Sequence, residues 1–196
     1  MSDYQNENLT GKDFQAICKD RGVEYRQIGI AMINECGVQG TFRDDKWMPI
    51  QSYPDFEGVS VSGHQFIFDC KVCSSASFAL SSYRQDTRAA KYRQLKHMRD
   101  RAKFNVGCFF LIHWNARVMK TRSEPPETFV FPIEDNGFWE EYDAARCLSI
   151  TREDCDRWGV AVPWNILGRA RTYRPDFWPA VQARIENGSW LDRAVC

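Results

Sequence analysis

The sequence has no apolar run long enough to cross a bilayer and no secretory signal at its start. Neither a membrane-spanning helix nor export is expected. It also lacks net charge, since 26 Lys and Arg balance 26 Asp and Glu. No global field draws the chain to nucleic acid, so any such contact must come from a local patch. There is no internal repeat and no low-complexity tract. The eight cysteines (Cys18, Cys36, Cys70, Cys73, Cys108, Cys147, Cys155 and Cys196) show no framework spacing. Cys70-x-x-Cys73 has no second close pair, which excludes the usual four-ligand zinc site. A reduced, cytoplasmic protein with buried free thiols is expected. What the chain does have is 196 residues, 43% hydrophobic and 14% aromatic, enough for one domain with a real core.

The stretch Pro54 to Lys71, PDFEGVSVSGHQFIFDCK, carries the chemistry. Two short apolar-alternating runs, Val59–Val61 and Gln65–Cys70, flank Ser62-Gly63, which supplies a tight reversal. Along the second run Phe66, Phe68 and Cys70 share one face, and Ile67, Asp69 and Lys71 share the other. Folding about Gly63 returns residue 55 to residues 69–71. Asp55, Asp69 and Lys71 then converge at one end of the hairpin. Two carboxylates and an amine so placed suit a hard divalent cation with a water beside it. The plainer alternative is a solvated, charge-balanced strand face. Against it, Asp69 interrupts an apolar run, where an ionised carboxylate needs a partner.

Pro-Asp, a hairpin, then Asp-x-Lys resembles the PD-(D/E)XK nuclease superfamily. PDFEGVSVSGHQFIFDCK, then SSASFAL, YRQLKHM and GCFFLIHW, is similar to the RecU-type Holliday junction resolvase family. Order and approximate spacing agree from about Arg21 to Ile185, most specifically over residues 53–114. The resemblance implies an α/β fold with a restriction-endonuclease-like core, a mixed central β-sheet flanked by helices. It implies Mg²⁺ or Mn²⁺ held by Asp55, Asp69 and the Cys70 carbonyl, and Lys71 orienting the attacking water. A further acidic residue on the first core helix is implied; aligning RGVEYRQ favours Glu24, with Glu35 as competitor. The implied products are a 5′-phosphate and a 3′-hydroxyl. The chain departs from the family in two places. Asp69 stands where glutamate is usual, and only about ten residues separate Arg43 from Tyr53, where the family inserts a long stalk.

The remaining sequence is expected to place a helical extension at 1–20 before a single domain at 21–196. Helices are expected over about 12–20 and 24–35, a first strand at Thr41-Phe42, a loop over 72–82 and a helix over 87–102. A strand is expected at 106–114 and another at 128–132, with a helix at 136–145 and one capped by Thr151. Residues 83–103 carry mostly positive charge. Arg84, Arg88, Lys91, Gln94 and Lys96, with Arg169 and Arg171 in GRARTYR, are candidate DNA contacts. A homodimer cutting branched DNA is expected. A homing or restriction-like enzyme cutting duplex, or a non-catalytic DNA-binding protein of the same fold, stays open.

Overall fold

The computed structural model describes residues 8–37, 39–43, 46–51, 53–84, 90–119, 123–134, 136–167 and 172–187. Helix α1 (Gly11–Gln27) starts with a reciprocal cap: the Thr10 side chain accepts from the Asp13 amide, and the Asp13 carboxylate accepts from the Thr10 amide. Strand β1 (Ala31–Glu35) follows. One helix and one strand thus replace the two helices expected over 12–20 and 24–35, and the expected boundary after residue 20 falls inside α1. Gly22 does not interrupt the helix. It is buried where α1 crosses β1, and a Cβ there would stand 3.0 Å from the Ile33 Cβ. Gly29, at φ 76°, turns the chain out of the helix. Ala31 and Ile33 are buried while Met32 and Asn34 are exposed, the alternation of a strand, not a helical period.

A separate two-stranded ribbon, β2 (Gln39–Arg43) and β3 (Lys46–Gln51), lies between β1 and the next strand of the sheet in chain order. Asp44 and Asp45, between the two strands, lie outside the described residues. Next comes the hairpin of β4 (Phe56–Ser60) and β5 (Gln65–Cys73), reversed at Gly63 with φ 84°. The segment expected as a loop over 72–82 instead extends β5 and adds β6 (Ser77–Ala79) and a single 3₁₀ turn, Ser81–Tyr83. Helix α2 (Ala90–Ala102) leads into β7 (Gly107–Trp114). The short strands β8 (Arg117–Val118) and β9 (Ser123–Glu124) precede β10 (Glu127–Pro132) and α3 (Gly137–Asp143), the latter capped by Asn136. β11 (Ser149–Thr151) pairs with β6, and Thr151 caps α4 (Arg152–Trp158) as expected. β12 (Val160–Ala161), β13 (Trp164–Asn165), β14 (Arg174–Pro175) and α5 (Trp178–Asn187) complete the chain.

The central sheet runs β1-β4-β5-β7-β10-β12. Only β5–β7 is parallel, so the sheet is mixed, and helices cover both faces: the expected α/β class. β7 is buried along its whole length, as a strand covered on both faces should be. Beneath α1 and α5, Phe56, Phe68 and Phe109 stack across three neighbouring strands, with ring centroids 4.9 and 5.1 Å apart. On the other face Ile67, Leu95, Met98, Phe110 and Trp139 pack under α2 and α3. Each such fully buried large side chain contributes roughly 1.5–3 kcal/mol. Cys70 belongs to the first core and Cys73 to the second, so the two thiols point to opposite faces and cannot share a ligand. Both are free, as are the other five described cysteines. Among the described residues no helix is long and apolar enough to cross a membrane.

Candidate active site

The hairpin register pairs Phe56 with Phe68, which leaves Asp55 beside Asp69 at the open end of β4. Asp55 is fixed there by its own carboxylate: Oδ2 accepts from the Cys70 amide at 2.8 Å. The N–H and C=O of a strand residue point to the same edge. The Cys70 carbonyl therefore shares the edge on which Asp55 stands, past the last pair of β4.

Asp69 is fully buried. Its Oδ1 accepts from Gln94 Nε2 at 2.7 Å, and the same amide donates to the Tyr53 carbonyl at 3.0 Å. Its Oδ2 lies against the Lys71 ammonium as an ion pair. Burial pushes the Asp69 carboxyl up to about 7; Lys71 pulls it back down, and Asp55 adds to the rise. Burial works against the Lys71 ammonium, but Asp69, Tyr83 and Asp55 outweigh it, so Lys71 stays above the usual lysine range and charged. Tyr83, buried next to Lys71, is pushed up to about 12 by burial, with Lys71 opposing. The site thus holds two carboxylates against one ammonium, in a setting that penalises the excess charge.

The donor set fits a hard divalent cation: two adjacent carboxylates, one of them fully buried, and a backbone carbonyl on the same edge. Among the described residues no three His, Cys, Asp or Glu side chains form a metal cluster. The remaining ligands would be water and phosphate, which Mg²⁺ accepts readily.

Other candidates fall elsewhere. Glu24 is on α1, as expected, but its carboxylate is taken up by Arg21, at 2.8 Å, and Arg174. Glu35 ends β1, not a helix, and pairs with Lys19 at 2.7 Å. Its neighbour Cys36 donates its amide to the Asp55 carbonyl at 2.8 Å, so Glu35 flanks the site that Glu24 does not touch. Burial first, then Glu57, Asp55, Asp69 and Glu35, pushes the Cys36 thiol up to about 12. Gln94 faces inward to Asp69 and is not a DNA contact, because the α2 face that bears Leu95 and Met98 is the packed one. Lys91 and Lys96 are exposed on α2. Arg84 is spent on the Tyr142 and Asp143 carbonyls at 2.8 and 3.1 Å. Arg88, Arg169 and Arg171 lie outside the described residues. Tyr83 was missed; its signal was Phe78, Leu80 and Tyr83 inside a serine-rich stretch that otherwise reads as loop.

No protein-family model matches the chain, and no curated protein matches it. Among solved structures, Hjc from Archaeoglobus fulgidus, a Holliday junction resolvase from an archaeal hyperthermophile, is similar over 74% of this chain and 93% of that chain. Sequence identity is 13% and the TM-score 0.42.

Proposed function

We propose that this chain is a metal-dependent, structure-selective DNA endonuclease of the Holliday junction resolvase type. The observation that carries it is the convergence of Asp55, Asp69 and Lys71 at the open end of the β4–β5 hairpin, with Gln94 fixing Asp69. A phosphodiester resists hydrolysis because its own charge repels the nucleophile. Asp55, Asp69 and the Cys70 carbonyl would hold Mg²⁺ or Mn²⁺, which polarises the phosphoryl oxygen and acidifies bound water. Lys71 would offer a positive charge, held in place by Asp69, where negative charge develops. Gln94 holds Asp69 in one orientation, so the second carboxylate is in place before substrate arrives. Exposed Lys91 and Lys96 on α2 would meet the backbone phosphates. A homodimer would place two such sites about a two-fold axis, as paired nicking of a branched junction requires.

The short β2–β3 ribbon favours a second target within the same chemistry, continuous duplex, since the long stalk of the RecU-type family is missing. Cleavage of end-labelled four-way junction, fork and linear duplex in Mg²⁺ separates the two. Symmetric nicks in the junction, cut faster than linear DNA, support resolvase action. Equal cutting of linear duplex supports the second target. No cutting of any of the three in Mg²⁺ or Mn²⁺ overturns the nuclease assignment.

A further inference from the structure

A groove of about 350 Å³ opens on the outer side of α2, between that helix, the 3₁₀ turn and α3. Its walls carry three tyrosines, Tyr83, Tyr92 and Tyr142, and the cations Lys96 and Lys103 at its rim. Tyr83 is the dividing wall. One side of it faces the groove; the other side places its hydroxyl next to Lys71. Whatever fills the groove is therefore one side chain away from the proposed site of hydrolysis.

The groove has two features that hold an unpaired nucleotide: the half-buried ring of Tyr92 and a positive rim. Tyr83 and Tyr142 are buried in its walls, with Lys91 over the Tyr83 ring at 5.6 Å and Arg84 over the Tyr142 ring at 5.9 Å. Lys96 and Lys103 share one carboxylate, Asp100, at 2.5 and 3.3 Å, which leaves that edge with one excess positive charge. All three of these side chains are about half exposed or more, so a phosphate can reach the ammonium groups. The lining also holds Asp100 and Asp143, the latter paired with Arg99 at 2.7 Å, but its cations outnumber them, which suits a base next to a phosphate.

We propose that this groove binds an unpaired nucleotide of the DNA strand, so that the enzyme engages a junction or fork through a splayed strand beside the scissile phosphate. This rests on the nuclease reading above and names its substrate class: DNA with a locally unpaired arm. Tyr92 supplies a stacking face and Lys96 and Lys103 the phosphate contact.

The test is fluorescence anisotropy in EDTA, where no cleavage occurs, with a blunt duplex and the same duplex carrying a five-nucleotide unpaired arm. Wild type should bind the armed duplex roughly tenfold tighter, the order expected of one or two stacked bases. Tyr92→Ala should lose that preference and keep the blunt-duplex affinity, whereas Tyr92→Phe should keep both. Melting temperatures of both variants check that the fold is intact. Equal affinity of wild type for the two duplexes overturns the groove assignment while leaving nuclease action standing. So does an equal loss on both duplexes with Tyr92→Ala. Thymidine monophosphate binding as tightly as the arm would show a free-nucleotide pocket and also overturn it. Binding of neither duplex would remove the DNA reading itself.

Discussion

Two clusters of buried charge sit on opposite faces of the same sheet, and they differ in balance, not in burial. Around Glu24, one carboxylate lies between two guanidiniums, those of Arg21 and Arg174, and Asp20 pairs with Arg174 as well. Fully buried Arg21 also donates to the carbonyls of Pro175, Asn165 and Arg174, tying α1 to the β13–β14 hairpin. Two guanidiniums there meet two carboxylates, and the cluster is closed in charge. Around Asp69, two carboxylates face one ammonium, and the carboxyl rises to about 7. Among the described residues that cluster is short of one positive partner. A closed cluster reads as structure, and an unbalanced one reads as a place for a ligand.

The sharpest break between the two clusters is in turnover. Asp55→Asn or Lys71→Ala should lower DNA cleavage by about a thousandfold or more while DNA binding stays measurable, because each removes charge from the reacting centre. Glu24→Gln should cut at close to the wild-type rate and melt earlier. Loss of cleavage in Glu24→Gln at an unchanged melting temperature would merge the clusters into one site.

Next in size is stability. Arg21→Ala takes one of the two guanidiniums from buried Glu24 and strands three carbonyls, and should cost about 3–5 kcal/mol in urea unfolding. Gln94→Ala is smaller on both scales. It unties Asp69 Oδ1, and the Mg²⁺ concentration for half-maximal rate should rise about 10–100-fold, as for other outer partners of metal ligands. Smallest is the pH response. Since the Asp69 carboxyl is raised to about 7, its proton competes with the cation below that pH. Apparent Mg²⁺ affinity should climb by up to about tenfold per pH unit below 7 and level off above it. An affinity flat from pH 5.5 to 8 would show that Asp69 is already ionised and the cluster balanced.

Much of the unbalanced cluster was readable before any coordinates, because a strand's period of two and a glycine reversal fix which side chains meet. Gly63 folds the hairpin where expected, and Asp55 lands beside residues 69–71. The balanced cluster was not readable. Arg21 reaches partners 144 to 154 positions away, and nothing local announces them. The helix expected over 24–35 failed for a related reason: Ile28, Ala31 and Met32 fit a helical spacing, but Gly29 ends α1 and the edge of the sheet recruits Ala31–Glu35. Glu24 was assigned by alignment of a short motif, and only the tertiary partners Arg21 and Arg174 show how its charge is used.

The most direct test is strand cleavage of a labelled four-way junction during Mg²⁺ titration, run on wild type and Asp69→Asn. Wild type should nick with a saturable dependence on Mg²⁺ and stop in EDTA, and Asp69→Asn, folded to the same circular-dichroism spectrum, should not nick. Cleavage that persists in EDTA, or Asp69→Asn cutting at the wild-type rate, would contradict the claim that these carboxylates hold the catalytic ion.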